Sequence, residues 1–170
     1  MNLLFRFFWC WLSNISARQD MFDPGRQTYR VWLHDMGWRT HLPNFRFLSF
    51  MELGRFQHWR RIRHQLKRSP GIPLIAAQEM VYLRPVGLFS RLTLQTELLG
   101  WDHKYVVFRH DFYVGDTLVA TGLVKEACVA KGKVIAPDDI FQAESPEDTA
   151  RLQACWQALH AEIRRHSGSR

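Results

Sequence analysis

The chain has 170 residues, 46% of them hydrophobic and 23% charged, which suits one packed domain and excludes a disordered or fibrous chain. The formal charge of +7 can serve nucleic acid, anionic lipid or a phosphorylated ligand, or simply form solvated faces, but the basic residues fall in no nucleic-acid motif and no aromatics interleave with them as a base-stacking platform would require. Cys10, Cys128 and Cys155 form no CxxC pair, so neither a zinc site nor a disulfide framework is expected, only reduced thiols.

Residues 3–12 read LLFRFFWCWL. The run is too short to span a bilayer, which takes roughly 20 apolar residues, and with Arg6 inside it and no basic stretch before it a cleaved signal is not expected. As a helix it is apolar nearly all round, so residues 1–12 either bury against the domain or make peripheral contact with a membrane surface. A polar connector follows, ending in the turn signal Asp23-Pro24-Gly25. Residues 29–34 alternate as a strand does, and residues 35–44 form a loop broken by Gly37 and Pro43. Over residues 45–66 the period becomes helical: Phe47, Leu48, Met51, Gly54, Trp59, Ile62 and Leu66 line one stripe, with Arg46, Glu52, Arg55 and Arg60 outside it. Asn44 suits the N-cap, and Ser69-Pro70-Gly71 ends the helix.

Beyond this point come strand-like runs at 74–83, 92–99, 105–114, 118–129 and 133–135, separated by glycine-bearing turns. Spacings this short favour antiparallel hairpins over crossover connections. Ala136-Pro137 stops the sheet, and residues 146–165 read as a last helix with Ser145 before it and Leu152, Cys155, Trp156 and Leu159 along one side. One long helix cannot bury its stripe alone, whereas a curved sheet wrapped around it can. The expected class is α+β: a long central helix wrapped by an antiparallel sheet of five to six strands. The expected division is an N-terminal helix and connector at 1–27, the main domain at 28–137, and a helix with basic tail at 138–170.

The densest cluster of motifs is His41-Leu42-Pro43-Asn44-Phe45-Arg46-Phe47-Leu48, followed by Met51-Glu52-Leu53-Gly54-Arg55. It resembles the His-Met-Asn-Asn-x-Arg-Tyr-Leu and Met-Glu/Asp-x-Gly-Arg patterns of the 4-hydroxybenzoyl-CoA thioesterase-like branch of the hotdog superfamily. Leu99 to Lys104 and His110-Asp111-Phe112 resemble the paired middle strands of its bacterial members. The resemblance runs from about Tyr29 to Pro137. It implies a hotdog fold, a homodimer or dimer of dimers, and an acyl thioester held at the subunit interface near the start of the long helix. There an aspartate acts as general base or nucleophile, and backbone N–H groups polarise the thioester carbonyl. Helix-start physics agrees, since unpaired donors and the positive dipole end lie there.

The resemblance gives two registers for the carboxylate. In the His-Met-Asn-Asn pattern, aspartates stand six and four residues before the His; here those positions are Asp35 and Gly37. In a Tyr-Pro-Asn-Tyr pattern the working Asp stands nine residues before the Asn, which makes Asp35 the partner of Asn44. The candidate catalytic set is Asp35, His41, Asn44 and Glu52. For each there is a plainer role: a loop-capping Asp, a loop hydrogen-bonder, an N-cap and a solvated ion pair. Arg60, Arg61 and Arg63 are candidates for the phosphates of coenzyme A. No metal ligand set is present, and no cofactor is expected beyond the coenzyme A thioester as substrate. Two functions are open: hydrolysis of acyl-CoA or acyl-carrier-protein thioesters, and binding of such thioesters without cleavage because Gly37 stands where a working Asp would. The expected location is cytoplasmic, with membrane association through residues 1–12 as a further expectation.

Overall fold

The structure, a computed structural model, describes residues 18–146 and, beyond them, Ala154, Trp156, Gln157, Ala158 and Ala161. The expected apolar helix at residues 1–12, Cys10, Cys155 and the basic tail lie outside the described residues. In chain order the elements are β1 (Gly25–Arg30), a single helical turn α1 (Leu33–Met36), the long helix α2 (Asn44–Arg61), β2 (Ile72–Tyr82), β3 (Arg91–Trp101), β4 (Tyr105–Val114), β5 (Thr117–Ala130) and the short β6 (Lys133–Ile135). The strands make one antiparallel sheet in the order β1-β3-β4-β5-β2, with β6 paired to β5.

Register shifts between Leu98 and Gly100, between Ile75 and Ala77, and between Phe112 and Tyr113 interrupt the ladders. Such bulges bend strands and add twist, which is what a sheet needs to curl around one helix. The result is the hotdog arrangement of the resemblance.

Several boundaries differ from expectation. β1 starts earlier and ends at Arg30, because Asp35 folds the following residues into α1: its N–H bonds the Trp32 carbonyl at 2.9 Å and its Oδ2 accepts the Trp32 N–H at 2.9 Å. α2 ends at Arg61, where Ile62 caps it and a 3-10 turn at Arg63–Gln65 takes over. The expected Asn44 cap is corrected: Pro43, with φ −66 and ψ 148, holds the cap position and Asn44 is the first helical residue, with no side-chain cap bond. Proline sets the entry angle without needing a side-chain acceptor. Ser145, expected as a cap, instead bonds both backbone groups of Trp101, each at 2.8 Å.

Arg55 is the main correction within α2. Helical spacing places it outside the apolar stripe, but it is 3% exposed. The core explains why. One apolar cluster gathers Phe47, Phe50, Met51 and Leu53 of α2 against Leu92, Leu94, Phe112 and Val124. A second gathers Trp59 and Ile62 against Leu98, Phe108, Cys128 and Phe141. Between them on the concave face lie Arg55 on α2, Thr96 on β3, His110 on β4 and Glu126 on β5, all buried. Arg55 Nε donates to Glu126 Oε1 at 2.5 Å, Trp59 Nε1 donates to Glu126 Oε2 at 3.2 Å, and Thr96 Oγ1 lies 3.0 Å from His110 Nδ1. The core is thus two apolar blocks joined by a hydrogen-bonded polar seam.

Gly54 lets α2 approach β3 closely, since a methyl there would sit 2.3 Å from Thr96 Oγ1 and 2.9 Å from Leu94 Cδ2. On the convex face, Trp156 of the last helix is buried and its ring lies 5.7 Å from Lys125 Nζ.

Candidate functional site

Two features at opposite ends of α2 carry chemistry. The first is the carboxylate of Asp35. It is 1% exposed, with Oδ1 3.4 Å from His34 Nε2 and 3.5 Å from Arg46 Nε. Arg46 Nη2 also donates to the His34 carbonyl at 3.2 Å, so the third residue of α2 ties α1 to the helix start. A carboxylate is held there beside the positive end of an 18-residue helix. Gly37, just after α1, has φ 61 and ψ −125, a conformation that L side chains rarely adopt. A side chain at that position would need a different loop. His41 is exposed, while Asn44 contributes its carbonyl, which accepts the Tyr82 hydroxyl at 3.4 Å.

The second feature is a groove of about 750 Å³ between the C-terminal half of α2 and the start of β2. Phe56, Trp59, Leu66, Pro73, Leu74 and Ile75 give it apolar walls, Arg60, Arg63 and Arg68 border it, and Arg55 and Glu126 reach it from the seam. Glu52 is exposed and lines the same groove. Of the three arginines proposed for phosphate, Arg60 and Arg63 line the groove, whereas Arg61 turns the other way and bonds Gln19 at 3.3 Å.

The seam residues escape the periodicity argument for α2, but β4 and β5 carry a signal. His110 shares its strand face with Phe108 and Phe112, and Glu126 shares its face with Val124 and Cys128. A polar residue on an apolar parity requires a buried partner. His110 is held well below its ordinary pKa, first by burial, then by the Arg55 guanidinium and by His58. Arg55 can only donate, so the neutral ring presents Nε2 towards Arg55 Nη1 at 3.5 Å and its Nδ1–H to Thr96. His58 is lowered to about 4, chiefly by burial, and its Nε2 bonds the Met21 carbonyl at 3.0 Å.

Among the described residues, no group of three or more His, Cys, Asp and Glu could hold a metal ion, and no helix is long and apolar enough to cross a membrane. The family profile described as "Thioesterase-like superfamily" matches residues 31–147. Protein THEM6 of Danio rerio is 27% identical over 152 residues, covering 78% of this chain and 72% of that protein. The fold is similar to that of a thioesterase from Thermus thermophilus solved with coenzyme A and zinc (TM-score 0.57, 22% identity, 68% of this chain and 90% of that one). It is also similar to that of an acyl-CoA hydrolase from Staphylococcus aureus solved with butyryl coenzyme A (TM-score 0.62, 10% identity, 85% and 90%). At these identities the two structures speak for the fold.

Proposed function

The chain belongs to the thioesterase-like superfamily, and on that premise we propose that it hydrolyses acyl-CoA thioesters, giving the free acid and the thiol. The observation that carries this reading is the groove, with apolar walls for an acyl chain and Arg60, Arg63 and Arg68 at its border for the phosphates of coenzyme A. Within one copy the groove is far from Asp35, because α2 with its 18 residues extends about 27 Å at 1.5 Å per residue. β2, however, is an edge strand exposing Ile72, Leu74, Ile75 and Val81. A second copy paired antiparallel along β2 sets the start of its own α2 beside this groove. The working site in this proposal is therefore shared between two copies: the groove of one and Asp35 of the other.

In the reaction, Asp35 removes a proton from water as the oxygen attacks the thioester carbonyl. Donors at the start of α2 stabilise the oxyanion, and the thiolate leaves as the tetrahedral species collapses. Attack by Asp35 itself, with hydrolysis of the resulting anhydride, gives the same products.

The test is release of free coenzyme A across a series of acyl-CoA chain lengths. Asp35→Asn is expected to lower kcat by about 100-fold or more while acyl-CoA binding persists. Turnover equal to the parent's would remove Asp35 from the mechanism and make Glu52, which lines the groove, the next carboxylate to replace. A second reading, binding without cleavage, draws on the occupied state of the Asp35 oxygens, one accepting the Trp32 N–H and the other beside Arg46. Acyl-CoA or acyl-carrier protein that binds to the parent and is never hydrolysed would establish it.

A further inference from the structure

The end of the molecule at the start of α2 exposes large apolar side chains: Trp38 is 88% exposed, Leu33 68%, Phe89 49% and Trp32 41%. Burying any one of these in its own core would stabilise the chain, so their shared location calls for an occupant. They are also held in place. Trp32 and Phe89 meet edge to face at 5.7 Å. The Val31 N–H bonds the Ser90 carbonyl at 3.0 Å, and the Phe89 N–H bonds the Val31 carbonyl at 2.8 Å. Phe89 takes φ 60, a left-handed conformation that an aromatic residue adopts only against strain.

Among the described residues, the exposed charges around them are mostly basic. Arg30 Nε donates to the Phe89 carbonyl at 3.3 Å, and the Arg39 guanidinium lies 5.6 Å from the Trp38 ring. Arg84 is exposed in the segment that leads to Phe89. Arg30 and Arg91 stand directly opposite each other on β1 and β3, which gathers positive charge on this side of the sheet. Asp35, the acid within residues 29–49, is buried against Arg46; Asp116 in the β4–β5 turn is the opposing exposed charge at this end among the described residues.

We propose that this end is a membrane-contact surface, in which Trp32, Leu33, Trp38 and Phe89 enter the headgroup region of an anionic bilayer and Arg30, Arg39, Arg84 and Arg91 meet lipid phosphates. Tryptophan with arginine is the composition that the bilayer interface favours, and arginine binds phosphate well. A protein partner of the same chain is less suited, because a two-fold contact would set these arginines against one another. The β2 edge lies at the far side of the sheet from β1 and β3, so pairing of two copies there leaves the β1–β3 side of this surface open, where Arg30 and Arg91 stand and Trp32 meets Phe89. The inference is independent of any hydrolytic activity.

The test uses the full chain with vesicles of phosphatidylcholine alone and with about one third phosphatidylserine. The parent is expected to co-sediment with the anionic vesicles and to lose most of that binding at high salt. Leu33→Ser with Trp38→Ser is expected to weaken partitioning by at least about tenfold without lowering Tm, because both side chains are exposed. Arg39→Glu with Arg84→Glu is expected to abolish the preference for anionic vesicles. A parent that stays in solution, or serine and glutamate variants that sediment as the parent does, would overturn the proposal; the second result would assign any binding to another segment. A fall in solution mass for the serine variant would overturn it too, by showing that a second copy covers this end.

Discussion

Arg55 and Glu126 each depend on the other. Both side chains are 4% exposed, so neither charge is tolerable alone. Arg55→Met is expected to destabilise by about 3–5 kcal/mol, because Glu126 is left charged and buried with only the Trp59 N–H. Adding Glu126→Leu should restore most of that loss, and urea unfolding of the two single variants and the double variant measures it. A double variant no better than Arg55→Met would show that the pair does not act as a unit. His58 sets the acid response. Its folded pKa of about 4 lies below the ordinary 6.5, so below about pH 6.5 the unfolded chain takes up a proton that the folded chain refuses. Stability from this residue is full above that pH and is lost as pH falls towards 4, by at most about 3 kcal/mol. Urea midpoints at pH 7.5 and pH 5 should differ in the parent and converge in His58→Phe; an unchanged difference would place the effect elsewhere, His110 being the next candidate.

At the scale of elements, the contact between α2 and β3 rests on Gly54. Gly54→Ala gains helix propensity of about 1 kcal/mol, but its methyl would meet Thr96 and Leu94 inside ordinary contact distance. Overpacking of this kind costs typically 1–3 kcal/mol, so a net fall in Tm is expected, and a rise would mean that α2 can lift from the sheet. The strands were legible because alternation with turn glycines is a local signal: β4 and β6 have the bounds that the sequence suggests. The start of α2 was legible to within a residue, but its cap was not, since proline at the cap leaves no acceptor signature. The turn at Leu33–Met36 was hidden where the apparent strand at 29–34 runs into the loop at 35–44, because Asp35 makes it by bonding back to Trp32. At the candidate site, Asp35 was visible through motif spacing. The groove was not, since its walls come from α2 and β2, which only the fold brings together. Arg55 was misplaced because helical spacing counts apolar residues and cannot see a charge that is buried with a partner on β5.

For the whole molecule, the outer edge of β2, which pairs with no strand among the described residues, is the feature that asks for a partner. Eleven residues long and apolar at Ile72, Leu74, Ile75 and Val81, it is the kind of edge that soluble proteins normally cover. Light scattering is expected to give twice the chain mass, and Ile75→Lys with Val81→Lys to halve it; a monomeric parent would sink both the pairing and the shared site. The polar seam has a consequence of its own for how the chain reaches this state. Its members, residues 55, 96, 110 and 126, come from four elements spread over most of the domain, and stripping water from Arg55 before Glu126 is in place is unfavourable. The pair should therefore remain hydrated at the rate-limiting barrier and dehydrate only as the two apolar blocks close. Substitutions in the seam are then expected to speed unfolding while leaving the folding limb of the chevron almost unmoved. The charges that hold the core together would thus act as a latch on the way out, setting how long the folded state lasts and not how soon it forms.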